Sequence, residues 1–237
     1  MNKEEELRFA LSRAADRMRS LNVGTSGNVS ARLEDDFIIS PSGVSVFKPN
    51  DAIKVNIRTR LSVERGHRGK PSSEKDLHAL IYEVRSDIAS VVHFHSSTAL
   101  ALAAVEPWPA GQDVLSPYAV PLFHYDLWHL GIEGKHRGIP FVPYAHPGSI
   151  VLAEQVANAF KQNRAKVAVM ERHGAVTLGA TVSEAVQNAI FFQHLAKSYL
   201  RAVSLARESG RTLRLFSPEE FDDFRREVER MGYGRKD

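Results

Sequence analysis

The chain has no cysteine among its 237 residues. That excludes disulfides, thiolate metal ligands and thiol nucleophiles, so any metal ion must be held by histidine, carboxylate or water. No apolar run approaches the roughly 18 residues needed to span a bilayer, and no membrane is expected as a partner. The N-terminal segment MNKEEELRFALSRAADRM is charged from the start and lacks the apolar centre of a signal peptide, which points to the cytoplasm. A strong charge of one sign is missing too. The 31 Lys and Arg against 28 Asp and Glu leave a net charge of +3. The basic residues are scattered rather than massed, so nucleic acid is not expected and a small anionic substrate fits equally well.

With 43% hydrophobic and 25% charged residues, the composition supports a sizeable core under an ordinary polar surface. No internal repeat, low-complexity tract or linker divides the chain, and the simplest reading is one α/β domain over residues 1–237. Leu7, Leu11, Ala14, Met18 and Leu21 recur at helical spacing, with Asn22 and Gly24 as the stop. DFIIS and DAIKVNI read as short strands around the turn PSG, and RGHRGKPSS as a loop. Ser73 is the expected cap of the next helix, with Asp76 in the capping-box position and Leu77, Leu80, Ile81 and Val84 as its buried stripe.

IASVVHFHS reads as a strand covered on both faces. Residues 105–138 are loop-rich and aromatic. IPFVPYA follows as an extended segment, GSIVLAEQVANAF as a helix and AKVAVMERH as a buried strand. Ser183 is the expected cap of a long helix ended by Gly210. Ser217, Pro218 and Glu220 open a last helix, about 217–231, that Gly232 stops.

Alternate side chains of a strand share a face, so His93 and His95 project together while Phe94 points away. Such a pair either shares a metal ion or lies on a solvated face. A second apolar strand ends at His173, followed by Gly174, which permits a close turn. Three imidazoles would leave coordination positions open, as catalytic zinc sites do. The other histidines lack this context. His78 and His194 lie in helices as packing or surface residues, and His67 and His136 in solvated basic loops. His124, His129 and His146 fall in the irregular middle region, where they could line a pocket. Lys54 and Lys166 have no surrounding motif and read as solvated.

Ser72 and Ser73 stand at a predicted helix N-terminus, where free N–H groups and the helix dipole favour an anion. GTSGNVS and SPSG add two more small-residue turns, and together the three make a shared phosphate cradle. Glu74, in the first turn, either complements the dipole or serves the histidines as ligand or base.

The motifs TSGNVSAR, SPSG, PSSE with His78, VVHFHS and ERHGAV stand in the order seen in the class II aldolase/adducin family, which the chain resembles from about Leu7 to Tyr199. That resemblance implies an α/β fold with a mainly antiparallel central sheet flanked by helices, assembled as a homotetramer. It implies His93, His95 and His173 as metal ligands, with Glu74 as both ligand and acid/base. Gly27, Asn28, Ser42, Gly43, Ser72 and Ser73 match phosphate-binding positions. A catalytic tyrosine from a neighbouring subunit is matched by Tyr125, with Tyr118 as its rival.

The implied activity is that of a Zn²⁺-dependent aldolase, with Mn²⁺ or Co²⁺ as alternative metals, cleaving a ketose phosphate by a retro-aldol step. Glutamate after the serine pair favours an aldolase over a 4-epimerase of the L-ribulose-5-phosphate type. A decarboxylase acting on 3-oxo-tetronate 4-phosphates shares the PSSEKDLH motif. Non-catalytic, adducin-like modules usually lack the full histidine set that this chain keeps.

Overall fold

The computed structural model describes residues 1–64, 69–106, 108–109, 118–161 and 164–232. Among these described residues nine strands form one sheet: β1 (Asn28–Leu33), β2 (Asp36–Ile39), β3 (Ile53–Asn56), β4 (Ser90–Phe94), β5 (Trp108–Pro109), β6 (Tyr118–Val120), β7 (Ile139–Val142), β8 (Val167–Met170) and β9 (Gly174–Gly179). Their spatial order is β3-β2-β1-β4-β9-β8-β7-β6-β5. All neighbours are antiparallel except β7 and β8, so the expected mainly antiparallel sheet is present. Among the described residues six α-helices accompany it: α1 (Lys3–Met18), α2 (Lys75–Val84), α3 (Ser97–Ala103), α4 (Ile150–Lys161), α5 (Val182–Glu208) and α6 (Pro218–Arg230). Among the described residues, no helix is long and apolar enough to cross a membrane.

The helices cover both faces of the sheet centre. Phe94 of β4 packs against Phe192 of α5, with ring centroids 6.1 Å apart. Its neighbour His93 turns the other way, towards Glu74 at the head of α2. Successive side chains of a strand leave on opposite faces, so α5 and α2 lie on opposite sides of β4. α1 and α3 pack with α5, and α4 packs with α2. Every residue of β4, β8 and β9 is buried, which is why the β4 and β8 segments read as apolar strands.

Several local expectations shift. α1 ends at Met18, and Leu21 lies in the following turn. The cap of α2 is Glu74 rather than Ser73, with φ −100° and ψ 18° and no side-chain capping bond. The Glu74 carboxylate is drawn to the histidines instead, while Ser72 Oγ receives the Glu74 amide at 3.3 Å. Thr181, not Ser183, caps α5 by accepting from the Glu184 amide. The α6 capping box of Ser217 and Glu220 forms as its sequence indicates. β1, α3 and β9 have no counterpart in the sequence reading. β1 begins inside a Gly/Ser-rich stretch, α3 is only seven residues long, and β9 follows β8 after a turn too short to separate them by pattern.

A candidate metal and phosphate site

The central strands bring the histidines together. β4 carries His93 and leads directly into His95. β9 runs antiparallel to it, with Phe94 opposite Ala175 and His93 opposite Val176. The turn from β8 to β9 therefore places His173 beside the end of β4. That turn needs Gly174, whose φ is +155°. A Cβ there would stand 2.6 Å from the Phe94 carbonyl oxygen, closer than side chains tolerate, and 3.1 Å from the His95 ring.

One candidate ligand nitrogen from each of His93, His95 and His173 lies within 4.8 Å of the others. The Nε2 atoms of His93 and His95 are 2.7 Å apart. Glu74 closes the cluster: its Oε2 is 3.0 Å from His93 Nε2, and its Oε1 is 3.2 Å from His173 Nε2. His93, His173 and Glu74 are only 1%, 5% and 7% exposed. His93 Nδ1 donates to the Ala175 carbonyl at 3.0 Å, which leaves Nε2 as the lone-pair atom turned to the cluster. The His95 backbone is pinned from both sides, its amide donating to Asn22 Oδ1 and its carbonyl accepting from Val23.

Burial opposes a charge on Glu74, but the adjacent His93 and His173 and the Asn28 amide outweigh it and hold the carboxyl well below the usual carboxylate range. Burial likewise opposes a charged His93, yet Glu74 and the Ala175 carbonyl keep that imidazole above its ordinary value. Burial and the neighbouring His93 push His95 down to about 3 and His173 to about 4.

A divalent cation fits this environment. Glu74 Oε1 and His173 Nδ1 are buried without a hydrogen-bond partner among the described residues. Three imidazoles and a carboxylate are a donor set suited to zinc and its neighbours in the series.

The three small-residue turns are tied to one another. An isolated bridge joins Pro41 to Pro71. The Ser42 amide donates to the Lys70 carbonyl at 2.9 Å, and the Ser72 amide to the Ser40 carbonyl at 3.2 Å. Ser40 Oγ accepts the Val29 amide at 3.2 Å, which ties the start of β1 to this pair of loops. Gly27, at φ +87°, lies so close to His93 that a Cβ would be 2.8 Å from its carbonyl oxygen. Ser42, Gly43 and Ser73 are exposed, whereas Ser72 is buried. Both polar atoms of the Asn28 side chain are already engaged, one with Glu74 and one with His78.

Tyr125 stands apart from this centre. It opens a 3₁₀ turn over Tyr125–Leu130, stacks on His124 and packs against Phe224 of α6. It is 42% exposed. Tyr118 is placed in β6, its side chain outside the described residues, as is His67. His194 is exposed on α5, as expected of a surface position, and His146 is exposed as well. His136 is half-buried and 3.7 Å from Glu133 rather than solvated. Lys54 and Lys166 are not simply solvated either, since they pair with Glu4 at 2.8 Å and Glu184 at 2.7 Å. His129 lines a cavity of about 790 Å³ with Trp128 and Phe191. That cavity also includes Lys166, just before β8, and so lies at the opposite end of the strand from His173. His78 is fully buried against Asn28 and Ser30. Its sequence signals are the four-residue offset from Glu74 and its place in the PSSEKDLH motif.

The model of the family described as Class II Aldolase and Adducin N-terminal domain matches residues 6–200. The chain belongs to this family. Family membership supports a lyase, and class II aldolases are metal-dependent, in keeping with the three-histidine group. An L-fuculose phosphate aldolase of Haemophilus influenzae is 31% identical over 190 residues, covering 79% of this chain and 78% of that protein. A 3-oxo-tetronate 4-phosphate decarboxylase of Cupriavidus necator is 33% identical over 187 residues, covering 78% and 79% respectively. The solved structure of an L-fuculose 1-phosphate aldolase superposes with a TM-score of 0.77 at 23% identity, covering 94% of this chain and 96% of that one. That likeness establishes the family fold.

Proposed function

We propose that this chain is a metal-dependent lyase that cleaves a ketose phosphate by a retro-aldol step, releasing a phosphorylated carbonyl fragment and an aldehyde. The observation that carries the reading is the Glu74 carboxylate held between His93 and His173 at the edge of the serine and glycine turns. His93, His95 and His173, with Glu74, would hold Zn²⁺, or Mn²⁺ or Co²⁺ in its place. Such an ion supplies Lewis-acid polarisation of a substrate carbonyl.

The residues of the chain divide the remaining work. Gly27, Asn28, Ser42, Gly43, Ser72 and Ser73 bind the phosphate through hydroxyls and backbone N–H groups, and so orient the bond to be broken. Glu74 moves a proton at the carbon left electron-rich by cleavage. Tyr125, exposed on its own protomer, handles the proton on the aldehyde oxygen of a neighbouring subunit's substrate within a homotetramer. Tyr118 is the alternative for that role.

A decarboxylase reading is favoured by one observation, the 33% identity to the 3-oxo-tetronate 4-phosphate decarboxylase. The two readings share the cradle, the histidines and Glu74, and differ in whether the leaving fragment is an aldehyde or CO₂. Incubating metal-loaded protein with L-fuculose 1-phosphate and, separately, with a 3-oxo-tetronate 4-phosphate decides between them. Aldehyde release from the former supports the aldolase, and CO₂ release from the latter alone supports the decarboxylase. Turnover of neither, nor of other ketose 1- and 5-phosphates, would sink the lyase reading.

A further inference from the structure

A chain of hydrogen bonds leads from the Glu74 carboxylate away from the histidine cluster and into the interior. Asn28 Nδ2 is 3.0 Å from Glu74 Oε2. The oxygen of the same amide is 2.5 Å from His78 Nε2. His78 Nδ1 meets Ser30 Oγ at 2.6 Å, and Ser30 Oγ meets the Tyr82 hydroxyl at 2.6 Å. The secondary structure makes this alignment. Glu74, His78 and Tyr82 are spaced by four residues on one stripe of α2 and its cap, while Asn28 and Ser30 share one face of β1. Ser30 and His78 have no exposed surface and Tyr82 has 1%, so water does not substitute at these links.

Each link admits one polarity. An ionised carboxylate only accepts, so Asn28 turns its N–H₂ to Glu74 and its oxygen to His78. An amide oxygen only accepts as well, so His78 Nε2 carries the hydrogen. Burial disfavours the imidazolium, which leaves Nδ1 as an acceptor. Ser30 then donates to Nδ1, and its oxygen receives the Tyr82 hydroxyl. The hydrogens run in one direction, from Tyr82 to Glu74.

We propose that His78 is a positioning residue, locked by Ser30 and Tyr82 in its Nε2–H tautomer. Through the Asn28 amide it fixes Glu74 so that Oε2 accepts from Asn28. Oε1, the atom facing His173, is then the oxygen that exchanges a proton with substrate. If the ring took the other tautomer, a lone pair would face the Asn28 oxygen. The amide would be driven to flip and present its own oxygen to a carboxylate. The role assigned to Oε1 rests on the lyase reading, whereas the tautomer does not.

Magic-angle-spinning ¹⁵N NMR of histidine-labelled, Zn²⁺-loaded protein reads the tautomer directly, with His78 assigned by the signal missing in His78→Gln. The wild type should show a protonated Nε2 and a bare Nδ1. Ser30→Ala, which removes the donor to Nδ1, should raise an Nδ1–H population, and Ser30→Thr should keep the wild-type pattern. On whichever of L-fuculose 1-phosphate and the 3-oxo-tetronate 4-phosphate the wild type consumes, Ser30→Ala should lower kcat by about ten- to a hundredfold. KM and bound zinc should stay within about twofold, and Ser30→Thr should recover most of the loss. A wild-type His78 protonated at Nδ1 would overturn the proposal. So would a Ser30→Ala protein with a lowered Tm but an unchanged kcat. Turnover of neither substrate would remove the lyase reading, and the tautomer comparison between wild type, Ser30→Ala and Ser30→Thr would then decide the relay alone.

Discussion

In the proposed lyase, Glu74 would do two things, help hold a cation and move a proton, and a single substitution separates them. Glu74→Gln keeps the size of the side chain and removes its titrating charge. Three imidazoles remain, so the variant should retain most of its metal by elemental analysis. Turnover should fall by about a hundredfold or more, the scale of a positioned acid/base. Exchange of the donor fragment's α-proton with deuterated water should fall with it. Normal exchange in a metal-replete Glu74→Gln protein would assign the proton to another group.

The histidines and Glu74 were legible at this scale because their chemistry is carried by short motifs on strands and a helix start. The role of His78 was not, although His78 stands in the PSSEKDLH motif: a histidine inside an apolar helical stripe looks like packing, and its partners Asn28 and Ser30 lie about fifty residues away along the chain. Only the docking of α2 against β1 turns a packing residue into a neighbour of the site. The Asn28 amide was equally opaque, since a Gly-Asn pair in a turn suggests anion binding and says nothing of a carboxylate across the sheet.

Among the elements, the β8–β9 turn has little freedom next to the site. Arg172 sits at φ +52° and Gly174 at +155°, and the backbone of Gly174 rests against the end of β4. Gly174→Ala would drive a methyl group into the Phe94 carbonyl, so the turn must lift and carry His173 away. The expected result is loss of most bound metal with little change in far-UV circular dichroism, because the strand ladders on either side remain. Full metal occupancy in Gly174→Ala would mean that the turn has slack the geometry does not show.

The strongly patterned elements were readable before their positions were known: α1, α2, α5 and α6 from their stripes and stops, and β4 and β8 from apolar runs. Capping propensity favours Ser73, one residue before the cap of α2, whereas the pull of His93 and His173 on Glu74 is a tertiary effect. The short elements carry too few residues for periodicity to register, as β1 and α3 show.

At the scale of the whole molecule, buried histidines make stability depend on pH. His78 is held down at about 3 by burial and by the neighbouring His93, against an ordinary value of about 6.5. The unfolded chain therefore binds more protons than the folded one between those values, and stability must fall as pH drops through that window. His95 and His173 act in the same direction in the metal-free protein. His93, held above its ordinary value, opposes them. Each proton contributes a slope of about 1.4 kcal/mol per pH unit. Urea titrations of metal-free protein from pH 7 to 4 should show this decline, and His78→Gln should make it shallower. A parallel pair of curves would place His78 outside the linkage.

The register of β4 between β1 and β9 also governs when the site comes into being. β4 pairs with a strand roughly sixty residues before it and with another roughly eighty after it. Such distant partners meet late, because closing long loops costs entropy before any contact returns it. On a ribosome, the first two histidines emerge long before the third, with α4 and β8 still to be made. If the three histidines hold an ion as proposed, its capture is confined to a chain that has closed the centre of its sheet. Metal uptake then reports the end of folding rather than its beginning.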